Sequence, residues 1–320
     1  MNSFQLYSEL DLLNLIITMS LESKTGDIDN IFFKEGYKIV SIDRSVLTNM
    51  GTIKYDIYLS NQVKDISLGF ELKGFKASNL TSDQLNKYQS LPIKQYLLLG
   101  GAFYQDLDNH RLQTIIGINK SRESLVKEFI QLNGFTFPLL LVDQKTSSIE
   151  ISTEQLIDNE LYLKLKNILF DTLKIPTFIF YDKESKLHHI APRIINKIFQ
   201  YAKLDMMEFS VDKITEETYC GIPGLNNVIG IDIKKSVVGK IKKILKEMAS
   251  NEFSSYIVWN SSNKKWEIKR INSKSHPNTD TAFLQLGKQY VDRLRNGMNL
   301  PTIGFEQLTL FDYDEVLEEI

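Results

Sequence analysis

Three residues in this sequence are of the types and spacing that perform phosphoryl-transfer chemistry: Asp56, Glu71 and Lys73. Asp56 interrupts the apolar run Tyr55-Asp56-Ile57-Tyr58-Leu59, and the other two fall in Phe70-Glu71-Leu72-Lys73. A charge within an apolar strand is costly unless it is paired or bound to a metal. On a strand, residues i and i+2 point to one face, so Glu71 and Lys73 share a face. A hairpin joining the two runs brings Asp56 beside them. Two carboxylates suit a hard divalent cation such as Mg²⁺, which takes oxygen ligands and keeps several waters. Such an ion activates a water and stabilises charge on a scissile phosphate, and a neighbouring lysine orients the water or neutralises that charge. The competing reading is an ordinary cross-strand ion pair between Glu71 and Lys73.

The elements that must position this trio follow from periodicity. Leu6, Leu10, Leu13 and Ile17 predict a first helix, and Asp27–Glu35 a short second one stopped by Gly36. Tyr37–Ile42, Ile53–Leu59 and Ile66–Lys73 read as strands, with a turn over Ser60–Asp65. Thr81 caps a helix that ends before Pro92, Gln95–Leu99 reads as a buried strand, and Ser121–Leu132 as a helix closed by Asn133-Gly134. The class is α/β, in a first unit over residues 1–145.

The pattern of an acid on one strand, fourteen intervening residues, then Glu71-Leu72-Lys73 resembles the PD-(D/E)XK nuclease superfamily. The resemblance covers roughly residues 20–110 and implies a restriction-endonuclease-like fold, a mixed central sheet flanked by helices. It implies Asp56 and Glu71 as metal ligands and Lys73 as the residue acting at the water or the phosphate. Several branches carry Gln-x-x-x-Tyr in the next helix, matched here by Gln84 and Tyr88. Gln84 also fits a simple capping box with Thr81. Many members place an acid in the first helix, and Asp27 is the candidate ligand, with Glu22 second. No proline precedes Asp56, unlike the family pattern. Leu68-Gly69-Phe70-Glu71-Leu72-Lys73 also resembles a run in mismatch-repair nicking enzymes, which would put Asp65 in place of Asp56. Asp65 reads as a turn residue, so Asp56 is preferred.

The whole chain sets bounds. Its 320 residues predict about two domains. Hydrophobic residues at 42 % and charged ones at 24 % describe an ordinary globular protein. The single cysteine, Cys220, excludes an intramolecular disulfide and a cysteine zinc site, and fits a cytoplasmic location. No apolar run has the length of a membrane span. There is no Gly-x-x-x-x-Gly-Lys loop and so no built-in ATPase. His188 and His189 fall on a predicted strand, where neighbours face opposite ways and cannot share a metal.

Residues 146–300 read as a second α/β domain, with helical periodicity over Thr153–Leu173, a hairpin of Thr177–Tyr181 and Leu187–Ile190, and a strand at Val228–Ile233. The formal net charge is −2, yet Lys234–Lys274 holds eleven Lys and Arg against three acids, a local balance of +8. Lys234, Lys235, Lys240, Lys242, Lys243, Lys246, Lys269 and Arg270 form the candidate DNA-binding set, contacting phosphates without regard to sequence. The alternative is a solvated helix face. In the tail, residues 301–320, Gln307-Leu308-Thr309-Leu310-Phe311 resembles the bacterial sliding-clamp binding peptide. There Leu308, Leu310 and Phe311 would enter an apolar groove and Gln307 would hydrogen-bond. Together these features predict an endonuclease acting on DNA with Mg²⁺ or Mn²⁺, of a restriction, phage-defence (antiviral) or mobile-element kind. A repair or recombination nuclease recruited by the clamp is the alternative among enzymes. A catalytically inactive nuclease fold that binds DNA or acts as an adaptor is the alternative outside them. Oligomeric state stays open, a dimer included.

Overall fold

The computed structural model describes residues 6–75, 80–99, 106–152, 156–166, 168–171, 173–269 and 277–296. Within them the chain is α/β, with ten α-helices and a seven-stranded mixed sheet whose spatial order is the sequence order. β1 (Lys38–Thr48), β2 (Gly51–Asn61) and β3 (Ile66–Lys73) form an antiparallel meander. α3 (Ser82–Gln89) and α4 (Ile93–Leu99) then cross over to β4 (Arg111–Asn119), parallel to β3. α5 (Glu123–Leu132) crosses to the parallel β5 (Leu139–Asp143). β6 (Ser148–Ile151) and β7 (Ile168–Leu169) complete the sheet antiparallel, with α6 (Asn159–Leu165) between them.

All eight residues of β3 are buried, which requires cover on both faces. On one face Ile57, Leu68, Phe70 and Leu72 pack in a core shared with α1 (Glu9–Ser20) and the short α2 (Ile31–Lys34). α1 starts in a capping box, Ser8 with Asp11, and buries Leu12, Leu15, Ile16, Ile17 and Met19. On the other face Tyr55, Tyr58, Ile116 and Leu139 pack under Leu85, Tyr88, Tyr96 and Val126 of α3, α4 and α5.

The C-terminal half joins the α1 face rather than standing apart. α7 (Leu187–Lys203), α8 (Val211–Tyr219), α9 (Ile231–Ser250) and α10 (Pro277–Asn296) surround a small sheet. That sheet has β10 (Lys265–Ile268) between β8 (Glu208–Phe209) and β9 (Ile257–Asn260). Ile190, Ile194, Ile198, Val237, Ile241 and Phe283 continue the α1 core. The Asn14 side chain accepts from the amides of Phe178 and Ile179 at 2.8 Å each and donates to the Ile179 carbonyl. The free edge of β1 is covered at one point: Ile42 donates to the Val228 carbonyl and accepts from Gly230, a parallel bridge.

Several expectations are corrected. Gln95–Leu99 lies in α4, started by the Tyr96 amide donating to the Pro92 carbonyl; the buried strand is Arg111–Asn119. Leu187–Ile190 opens α7, whose Ile190, Ile194, Ile195 and Ile198 recur at helical spacing despite the internal Pro192. His188 and His189 are thus helical, with rings 4.1 Å apart. Among the described residues of Thr153–Leu173, Asn159–Leu165 is helical and Ile168–Leu169 is a strand. Of Val228–Ile233 only Ile229 bridges a strand, and α9 begins at Ile231. The boundary expected after residue 145 falls in the turn joining β5 to β6, inside the seven-stranded sheet.

Candidate active site

The site forms where β2 and β3 part. Their last ladder pair is Ile57 opposite Phe70, so Asp56 and Glu71 face each other one step beyond the pairing. β2 also turns over there. Tyr55 and Ile57 are two residues apart, yet they enter opposite cores, where an uninterrupted strand would send both to one. Opposite the turn-over, Asp43 of β1 holds a left-handed backbone, φ 49°. The Leu72 amide, beyond the last β2–β3 pair, donates to Asp56 Oδ2 at 2.6 Å. Asp56 therefore keeps the gap between the strands open and satisfied.

Glu71 Oε1 lies 2.5 Å from Lys73 Nζ, both side chains largely buried. The Tyr88 hydroxyl donates to Glu71 Oε2 at 2.5 Å and lies 2.7 Å from the Lys54 carbonyl oxygen. Gln84 Nε2 donates to the same hydroxyl at 3.3 Å, which its place one helical turn before Tyr88 allows. Thr81 does cap α3, but the Gln84 side chain faces the site instead of the cap. The Tyr88 ring stacks on Tyr55 at 4.9 Å, and the Tyr55 hydroxyl bonds Thr114 at 2.6 Å. Gly69 makes this stack possible, since a Cβ there would lie 2.5 Å from the Tyr55 ring.

The electrostatics follow from burying acids together. Burial, then the Glu71 charge, push the Asp56 carboxyl well above its usual range, against the pull of the Leu72 amide and Lys73. Burial disfavours the Lys73 ammonium, but Glu71, with Asp56 and Glu9 behind it, outweighs this and raises it. Burial and the Glu71 carboxylate hold the Tyr88 phenol far above the ordinary tyrosine value. Lys54 feels the same opposition of burial and a carboxylate; its partner Asp43 wins and raises it.

One participant escaped the sequence reading. Glu9, in the first turn of α1, acts electrostatically on Lys73 and Glu71. Burial outweighs Lys73 and raises the Glu9 carboxyl. Contact is made possible by Gly74, where a Cβ would lie 2.6 Å from the Glu9 amide, so the start of α1 closes on the end of β3. The signal was present as Ser8-Glu9-Leu10-Asp11, a capping box that fixes where the helix starts. Asp27 is not brought to this group. It is exposed beyond the far end of α1, a helix about 18 Å long by its 12 residues. Glu22 is exposed at that same end. Asp65 is a turn residue, φ 50°, whose carbonyl accepts from Arg111.

The donor set is all oxygen, which suits Mg²⁺ or Mn²⁺. Among the described residues no three His, Cys, Asp or Glu side chains are gathered as a ready-made metal cage. Asp56 and Glu71, opposite each other with Lys73 paired to Glu71, fit an ion that keeps most of its waters.

Of the basic stretch, Lys235, Lys242, Lys243 and Lys246 line the exposed side of α9, opposite buried Val237, Ile241 and Leu245. Lys234 is half-buried. Lys240 is engaged by the carbonyls of Lys183 and Ser185. Lys269 faces Glu267 at 3.5 Å. Arg270 and the tail residues Gln307, Leu308, Leu310 and Phe311 lie outside the described residues. Among the described residues no helix is long and apolar enough to cross a membrane. Comparison of the chain with protein-family models, curated proteins and solved structures found no match.

Proposed function

We propose that this chain is a Mg²⁺-dependent DNA endonuclease with a restriction-endonuclease-like fold. The observation that carries the reading is the meeting of Asp56, Glu71 and Lys73 at the parted ends of β2 and β3. The meander followed by a helical crossover to a parallel strand supports it.

In this reading Asp56 and Glu71 would hold the cation, and Glu9 adds negative charge through space. A bound Mg²⁺ supplies an activated water and stabilises charge on the phosphate. Lys73, paired with Glu71, would orient the water or neutralise the developing charge. Tyr88 and Gln84 hold Glu71 in line, and Tyr55 fixes Tyr88 by stacking. The lysine side of α9 supplies phosphate contacts. A restriction, phage-defence or mobile-element setting fits such an enzyme, and a clamp-binding tail would favour replicating DNA.

The test is incubation with plasmid, linear and branched DNA, with and without Mg²⁺ or Mn²⁺. Wild type cuts only with metal, while Glu71→Ala and Lys73→Ala stay folded and do not cut. Undiminished cutting by both variants refutes the assignment. A second reading, an inactive DNA-binding or adaptor module, is favoured by one observation: both Glu71 oxygens are already engaged, by Lys73 and Tyr88. Calorimetric titration separates the two, since the inactive module takes up neither Mg²⁺ nor Mn²⁺.

A further inference from the structure

We infer that Lys183, on the turn Asp182–Ser185 of the C-terminal half, is a substrate-positioning residue of the Asp56–Glu71–Lys73 site that binds a nucleic-acid backbone phosphate next to the one under attack. The inference rests on the nuclease reading and adds to it a contribution from the other half of the chain.

Three sets of contacts fix this turn, and the Lys183 side chain meets that of Lys54, whose carbonyl oxygen meets the Tyr88 hydroxyl at the site. First, Asn14 of α1 grips Phe178 and Ile179 through three hydrogen bonds. Asn14 lies about 7.5 Å along the helix from Glu9, and Lys183 is within about 14 Å of chain from Ile179. The same helix therefore carries the site acid and anchors the segment leading to Lys183. Second, the turn is rigid. Asp182 Oδ1 accepts from the Glu184 amide at 2.9 Å and from the Ser185 amide and hydroxyl at 2.7 and 2.9 Å. Third, Lys240 of α9 clamps the turn from outside, donating to the Lys183 and Ser185 carbonyls. Lys183 itself is exposed, and it lies close enough to Glu9 and Lys54 to act on both charges.

Charge balance gives this lysine its role. At the site the acids Asp56 and Glu71, with Glu9 acting through space, meet one ammonium, Lys73. Lys54 is committed to Asp43. Each phosphate of an entering strand then adds a negative charge beside low-dielectric walls, where an unbalanced charge is costly. Lys183 is exposed at the rim on a fixed backbone, its side chain beside that of Lys54, so that the two amines offer a basic pair to a phosphate. Lys240, by contrast, serves the substrate indirectly, by holding the turn.

The experiment compares wild type, Lys183→Ala and Lys183→Arg on a short labelled duplex. Binding is followed against salt in EDTA, and steady-state cleavage in Mg²⁺. One lost phosphate contact lowers the slope of log affinity against log salt by about one and weakens binding to all sequences alike. We expect that change for Lys183→Ala, a raised KM with kcat little altered, and recovery of slope and KM in Lys183→Arg. An unchanged slope and KM in Lys183→Ala overturns the inference, as does a wild type that binds no duplex. If wild type binds with a Lys183-dependent slope but cuts nothing in any metal, the phosphate contact stands and the nuclease reading falls.

Discussion

Replacing Lys73 by Met is the sharpest probe of the site, because it separates a buried ion pair from a metal site in one measurement. The Lys73 and Glu71 side chains are 10 % and 5 % exposed and 2.5 Å apart. Breaking a buried pair by removing one partner costs about 3–5 kcal/mol, since the remaining charge is left uncompensated. Here Tyr88 still donates to Glu71, which puts the expected loss at the low end, about 3 kcal/mol. On the proposed reading, a divalent cation at Asp56 and Glu71 would substitute for the missing ammonium. At a hundredfold excess over its Kd it returns about 2.7 kcal/mol. Urea unfolding of Lys73→Met should therefore show a large loss in EDTA that Mg²⁺ mostly reverses. Wild type should gain less from Mg²⁺, because its own lysine competes for Glu71. The double variant Glu71→Gln/Lys73→Met, which removes both charges, should be more stable in EDTA than Lys73→Met alone. A Lys73→Met protein within about 0.5 kcal/mol of wild type in EDTA would refute the desolvated pair. Equal Mg²⁺ stabilisation of the two proteins would refute the metal site.

Three further outcomes are expected. Asp56→Asn keeps an oxygen for the Leu72 amide, so circular dichroism and unfolding should change little while metal-dependent cleavage falls by at least about 10²–10³-fold. Gly69→Ala drives a Cβ into the Tyr55 ring and should cost about 2–3 kcal/mol on unfolding, with the Tyr55–Tyr88 stack disturbed. His188 is pushed down to about 4 by burial, with His189, Arg295 and Lys186 adding to it. Its folded form stays neutral where the unfolded residue, near 6.5, takes a proton. Its contribution is therefore present above pH 6.5 and lost as pH falls toward 4, by up to about 3 kcal/mol. Urea midpoints for wild type and His188→Phe should converge across that interval, and parallel curves would count against a buried neutral histidine.

How much of this was legible in the residues depended on the range of the interaction. Glu71 and Lys73 share a face by strand period alone, and Gln84 reaches Tyr88 by helix period alone. Asp56 needed only a hairpin between adjacent runs, which the structure contains. The partners brought in from afar were not visible. Glu9 reaches the site because Gly74, some sixty residues later, lets α1 close on β3, and nothing local to Ser8–Asp11 announces it. Lys240 looked like one more phosphate contact, because sequence cannot show that two carbonyls fifty-odd residues upstream occupy it. The exchange of Gln95–Leu99 for Arg111–Asn119 as the central strand has a similar origin. A short apolar run fits helix or strand equally well until its neighbours decide.

The bridge between Ile42 and Val228–Gly230 has a consequence for how the protein is made. β1 lacks its second neighbour until a segment almost two hundred residues downstream has left the ribosome, and Asn14 waits for residues 178 and 179. Contacts of such sequence separation form late and slowly. A nascent chain that already contains Asp56, Glu71 and Lys73 thus still lacks the anchors that set α1 and Glu9 beside them. Anchoring of α1, and of Glu9 with it, therefore waits until the segment from residue 178 to residue 230 has been made.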